Sequence, residues 1–213
     1  MAPKYFQNLF NQNNYWTIFP RLVVKRKLTK EAASWMHRPV SNEEIKHAIF
    51  QCHPLKAPGL DGYNAAFFHS NWELVGEEVT QAVKSFFISR KLIRELNHTF
   101  LTLVPKGSNA SQLSDFRPIS CCNVLYKFIS KVLANRLQQV VEELISPNQN
   151  AFLKGRLISD CLLLAHEVIR DFHKPMGSRA CLKVDLQKTF DSVNREFVYF
   201  ILHCTGFSAK WIN

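Results

Sequence analysis

The chain has 213 residues, of which 46% are hydrophobic and 21% charged, and carries a formal net charge of +10. That length and apolar content support a real core and exclude an intrinsically disordered polymer. The basic excess favours a polyanionic partner, nucleic acid ahead of a membrane surface, and no apolar run is long enough for a membrane-spanning helix or a signal peptide.

The first forty residues mix aromatic, Asn/Gln and basic character, with a cluster of Arg21, Lys25, Arg26, Lys27 and Lys30. Those cations are readable as a solvated helix face or as a nucleic-acid contact. Ser41 then opens "SNEEIKHAIF", where Ser41 and Glu44 have the spacing of a capping box and Ile45, Ile49 and Phe50 the spacing of a helix. In "PLKAPGLDGYNAAFF", Pro54, Pro58, Gly59 and Gly62 force a loop. From about Asn71, Leu74, Val75, Val79, Val83, Phe86 and Phe87 recur at helical period and predict a long amphipathic helix.

Thr99 to Val104 is short, β-branched and closed by Pro105, and after a Gly/Ser/Asn-rich loop Phe116 to Ser120 reads as a returning strand. The two make a β-hairpin with Lys106 and Arg117 at its base, and Pro118 is confined to an edge or a strand end. The best helix of the chain covers "NVLYKFISKVLANRLQQVVEELI", stopped by Pro147. A loop through "NQNAFLKGR" leads to a helix over about Asp160 to His173, and a turn follows at Pro175 to Ser178. Next comes a strand ending at Asp185, then a helix from about Asn194 to Cys204, with Gly206 in the left-handed position after it. The six cysteines, Cys52, Cys121, Cys122, Cys161, Cys181 and Cys204, show neither a CxxC pair nor zinc-type spacing and read as buried free thiols of a reducing compartment.

Residue chemistry alone leaves several positions open. Asp185 at a strand end serves either as a turn or capping residue or as a hard-cation ligand. Lys106 and Arg117 are either surface charges or phosphate ligands, and Phe190 beside a strand is core packing by default. The acidic pairs Glu43–Glu44, Glu77–Glu78 and Glu142–Glu143 lie in predicted helices, where neighbours point about 100° apart, so they are solvated faces.

Four blocks in order change this balance. "KAPGLDGYNAAFFHSNW", "TLVPKGSNASQLSDFRPISCCNVLYKFISKVLANRL", "SPNQNAFLKGRLISDCLLLAHEVI" and "CLKVDLQKTFDSVN" resemble consecutive blocks of the reverse transcriptases of non-LTR (LINE-type) retrotransposons, in particular the plant ones. The match runs over roughly residues 40 to 213. The resemblance implies an α+β right-hand polymerase fold, mostly helical with a β-hairpin and a palm strand. Residues 1–40 become an N-terminal extension or linker, 41–178 a fingers-like region, and 179–213 the start of a palm. It implies that Asp185 is the first catalytic aspartate and binds Mg²⁺ in a two-metal scheme, with the carbonyl of Leu186 completing one metal shell. Phe190 matches the ring beneath the incoming sugar that selects deoxynucleotides. Lys106 and Arg117 match the clamps on the triphosphate, and Gln149, Lys154, Gly155 and Arg156 match a block near template and nucleotide. Asp191 is in this reading a neighbour, not a ligand.

The partners so implied are an RNA template, a DNA primer and a dNTP. No oligomeric state is implied, and the location is intracellular, nucleus or cytoplasm. Ala151, Thr189 and Cys161 depart in small ways from the family pattern. A larger departure is that a later hairpin with adjacent aspartates is expected, yet no two aspartates of this chain are adjacent. The expectation is therefore a truncated reverse transcriptase, inactive alone. A non-catalytic basic nucleic-acid-binding module or a non-functional retroelement remnant is the alternative.

Overall fold

The computed structural model describes residues 2–10, 24–170, 172, 174, 180–185 and 193–212. Two compact units emerge, one of Lys30–Leu137 and one of Pro3–Thr29 with Gln138–Ile212. The described residues form helices and one small antiparallel sheet, so the fold is mixed α and β.

The Lys30–Leu137 unit begins with α2 (Lys30–Met36) and α3 (Asn42–Phe50). Ser41 caps α3 as the sequence predicts, its Oγ accepting the Glu44 N–H at 3.2 Å. The reciprocal half of the predicted capping box is replaced, because the Glu44 carboxylate turns to Arg136. The loop after α3 ends earlier than expected: Ala65–Ser70 forms a short helix, α4, capped by Asn64 through the Phe67 N–H at 3.2 Å. Helix α5 (Trp72–Ser89) follows and buries Val79 and Val83, while Leu74, placed on that face by its spacing, is 78% exposed. A short α6 (Arg94–Asn97) leads into the sheet.

Strands β1 (Thr99–Pro105) and β2 (Phe116–Cys122) pair antiparallel, with Val104 opposite Arg117 and Leu103 opposite Pro118. The Lys106 N–H points across to the Asp115 carbonyl at 2.8 Å. Antiparallel parity then turns the N–H positions of Val104 and Thr102 inward and those of 105 and 103 outward. Pro105 and Pro118, opposite Leu103, both fall on the outward parity, so neither removes a ladder bond.

Helix α7 (Val124–Leu144) supplies the floor of the core. Val124, Phe128, Ile129 and Val132 pack with Val40, Ile45, Ala48, Ile49, Ala65, Phe68, Val79 and Val83. Phe128 meets Phe68 edge-on at 5.4 Å between ring centres. Each fully buried Val, Ile or Phe here stabilises the fold by roughly 1.5–3 kcal/mol.

In the other unit α1 (Ala2–Phe10) buries Phe6. Residues 24–29 are not helical, so the described part of the basic cluster before Lys30 is not a helix face. This irregular run is held by Leu28 N–H to the Thr205 carbonyl at 2.9 Å and by Arg26 Nη1 to the Ile145 carbonyl at 2.9 Å. Arg26 thereby satisfies a carbonyl just past the end of α7. Helix α8 (Ile158–Arg170) forms where predicted, with every residue exposed, Leu162, Leu163 and Leu164 included. Helix α9 (Arg195–Cys204) is capped by Asn194, whose Oδ1 accepts the Phe197 N–H at 3.1 Å. It ends as its sequence predicts, with Gly206 at φ +96°. The Gly206 N–H reaches the His203 carbonyl and the Phe207 N–H the Leu202 carbonyl, a Schellman closure. A final turn, α10, covers Ala209–Ile212.

Two expectations need correction. Ala180–Asp185 carries no strand. The alternation of that segment favours an extended chain, but a strand exists only with a hydrogen-bonded neighbour, and the sheet of the described residues contains β1 and β2 alone. The cysteines are all free, yet they are not buried: Cys161 and Cys181 are exposed and the other four half-buried.

Candidate nucleotide and nucleic-acid site

The hairpin brings together two of the residues singled out by the sequence. Arg117 lies on β2 opposite Val104, and Lys106 stands two pairs further along, so the period-two pleat puts both cations on the same face at one end of the ladder. Both are exposed. Lys106 Nζ donates to the Ser114 carbonyl at 2.8 Å, which fixes its stem against the loop.

The 106–115 loop is organised by Asp115, which sequence reasoning missed. Its Oδ2 accepts the N–H groups of Gln112 at 2.9 Å and Ser111 at 3.1 Å, and Oδ1 accepts the Ser114 hydroxyl at 3.4 Å. Those bonds stabilise the anion. The Gln112 and Ser111 amides hold the Asp115 carboxyl below its ordinary value, with Ser114 and the Lys106 charge adding to the effect. A folded pKa lowered in this way stabilises the loop above the unfolded value of about 3.9, and the contribution is lost as pH falls through the folded value. In an acid titration followed by NMR, the Ser111 and Gln112 amide signals are expected to move together, with a midpoint below the ordinary Asp range. A midpoint at or above that range would refute the anchoring role. The only sequence signal for it was the Asp four residues after a Ser in a polar loop, a common turn pattern.

In the other unit, Gln149, Lys154, Gly155 and Arg156 lie between α7 and α8. Arg156 is turned onto its own loop, with Nη1 donating to the carbonyls of Ser146, at 2.7 Å, and Gln149. Gly155 sits at φ +79°, a conformation that side chains resist. The Gln149 amide bonds the Ala151 carbonyl at 3.4 Å, and Lys154 is exposed. Arg156 and Gly155 therefore shape the loop that presents Lys154.

Asp185 is exposed on irregular backbone. Leu186, Phe190 and Asp191 lie outside the described residues. Among the described residues no three His, Cys, Asp or Glu side chains converge as cation ligands. The described donors thus do not form a divalent-cation site by themselves, although the Asp185 carboxylate is of the hard-oxygen type such ions prefer. No helix of the described residues is long and apolar enough to cross a membrane.

Sequence reasoning also missed Asn123 and Lys127, which fasten the loop containing "KAPGLDG". Asn123 Oδ1 accepts the Asp61 N–H at 3.4 Å, its Nδ2 donates to the Glu95 carbonyl at 3.0 Å, and Lys127 Nζ reaches the Ala57 carbonyl at 2.6 Å. These partners are 28 to 70 residues apart in sequence, so no local pattern announces them.

The profile described as reverse transcriptase (RNA-dependent DNA polymerase) matches residues 104–213, from the end of β1 through Asp185 and α9. The match covers more than half of the chain and sets its class, that of nucleic-acid polymerases. Within that class the chain belongs to the reverse transcriptase family. The uncharacterized 149 kDa protein of transposon TX1 from Xenopus laevis is 26% identical over 99% of this chain. A retrovirus-related Pol polyprotein from the type-1 retrotransposable element R2 of Popillia japonica is 27% identical over 80% of it. The corresponding polyprotein of the type-2 element R2DM from Drosophila melanogaster is 32% identical over 48%.

The resemblance to non-LTR retrotransposon reverse transcriptases therefore stands. The expected plant affinity finds no support in these frog and insect relatives. The chain spans 16%, 23% and 10% of the three relatives' lengths, respectively.

Proposed function

We propose that the chain forms part of the machinery with which a non-LTR retrotransposon copies an RNA template into DNA. The observation that carries this reading is the family match over residues 104–213. In this reading residues 41–178 act as fingers and 179–213 as the start of a palm, with 1–40 preceding them. Lys106 and Arg117 hold the triphosphate of the incoming dNTP, the guanidinium fork suiting phosphate oxygens and the ammonium serving as a point charge. Their shared face at the hairpin end supports the pairing. Gln149, Lys154, Gly155 and Arg156 line the template path, with Lys154 as the exposed contact and Arg156 as its support.

Asp185 is the family's first catalytic carboxylate, with the Leu186 carbonyl and the Phe190 ring beside it. Members of the family are metal-dependent polymerases, and we assign Mg²⁺ as the ion, which activates a primer hydroxyl and steadies the triphosphate when bound. Because one carboxylate does not hold two like-charged ions, the isolated chain is expected to be inactive. Incubated with Mg²⁺, dNTPs and a DNA primer annealed to an RNA template, it should bind the duplex without extending it. Robust extension would overturn the inactivity, and an absence of nucleic-acid binding would overturn the reading itself.

A further inference from the structure

The segment after α3 runs antiparallel along one flank of α7, fastened at three heights. Asn135 Nδ2 donates to Gln51 Oε1 at 2.9 Å, Lys127 Nζ to the Ala57 carbonyl at 2.6 Å, and Asn123 Oδ1 accepts from the Asp61 N–H at 3.4 Å. Lys127, Lys131 and Asn135 stand at i, i+4 and i+8 on α7, so they form a straight row rising about 6 Å per step. Lys56 joins the row from the loop, next to the carbonyl that Lys127 holds. The thiol of Cys52 lies within this seam and feels the field there. Burial pushes it up, and the charges acting against that are Lys131, Lys56 and Lys127, three cations and no anion. Asp61, at the far end of the seam, is engaged with the Tyr63 N–H.

We propose that Lys56, Lys127 and Lys131 form a track for the phosphodiester backbone of a nucleic-acid strand, read by charge and spacing without regard to base. Three points favour this ligand. A row of cations at helical spacing meets a repeating anion better than a single one, the Lys127 head is fixed on a loop carbonyl, and the chain as a whole is strongly basic. The inference rests on the reading that the protein handles nucleic acid, but it concerns residues other than the hairpin cations.

The test is a salt series of binding curves for the full chain with a labelled oligouridine and, separately, a labelled oligothymidine. Two variants are compared with wild type: K56Q/K127Q/K131Q, and a control, K84Q/K91Q/R94Q, with the same charge change around α5. The seam variant is expected to lower the salt slope by about 2, at about 0.7 per lost contact on a single strand, and the control to leave it unchanged. A loss with both oligonucleotides, or with one alone, supports the track and says which strand it holds. If removal of the Ala57 contact unfolds the seam variant, K56Q/K131Q keeps Lys127 in place and should lower the slope by about 1. An unchanged slope, or an equal loss in the control, overturns the proposal while leaving the function reading intact. No binding by wild type overturns both.

Discussion

Replacing Arg136 with methionine is expected to destabilise the Lys30–Leu137 unit by about 3 kcal/mol. Arg136 is 6% exposed on α7. Its guanidinium forms a fork with Glu44, Nε to Oε1 at 2.6 Å and Nη2 to Oε2 at 2.8 Å. The remaining donors reach the carbonyls of Arg38 at 2.8 Å, Pro39 at 3.2 Å and Met36 at 3.3 Å, with the Trp35 ring 5.9 Å away. One side chain thus ties α3 and the α2–α3 connection to α7. Methionine fills much of the volume but leaves a carboxylate and three carbonyls without that partner. The Glu44 side chain retains 27% exposure, so water softens the penalty and sets it at the lower end of the range for broken buried pairs. Urea unfolding measures it. Arg136→Met/Glu44→Leu should cost less than Arg136→Met alone, because no uncompensated charge remains. A midpoint that does not move for the single variant would refute the clasp.

Gly59→Ala should rank second, at about 2 kcal/mol. A methyl group there would lie 2.4 Å from Asn123 Oδ1, 2.5 Å from its N and 2.6 Å from its Cα. Two of those atoms are backbone at the start of α7, so the loop must lift. Lifting it loosens the bonds to Asp61 N–H and the Ala57 carbonyl. Gly62→Ala makes the contrast. Nothing lies within 4 Å of it, and only its φ of +73° opposes a side chain, at about 1 kcal/mol. Thermal unfolding of the two variants should give Gly59→Ala the larger loss. The reverse order would mean that backbone strain, not close approach, governs this loop.

Both sites show what local sequence carries and what it omits. The hairpin, the Ser41 cap and the Gly206 closure were legible because each depends on residues within a few positions of one another. The destination of the Glu44 side chain was not, since its partner lies 92 residues away and the capping spacing pointed elsewhere. Leu74 shows the limit of periodicity, which assigns a face but not what covers it. Ala180–Asp185 shows another limit, because alternation encodes the readiness of a segment to pair and not the presence of a partner. For the site, ordered blocks identified the family and named Lys106 and Arg117. The work of Asp115, Asn123 and Lys127 in holding the surrounding loops depends on contacts that exist only after folding.

The outward parity of Pro105 and Pro118 has a consequence for association between molecules. The hairpin exposes Phe100, Leu101, Val104 and Ile119, the composition that recruits a foreign strand. A strand docking on either rim would find one position with no amide donor, one proline per rim. Its ladder would break at the third residue of β2 or at the end of β1 nearest the loop. The prolines thus act as gatekeepers against aggregation, guarding a greasy hairpin without weakening the bonds that hold it together.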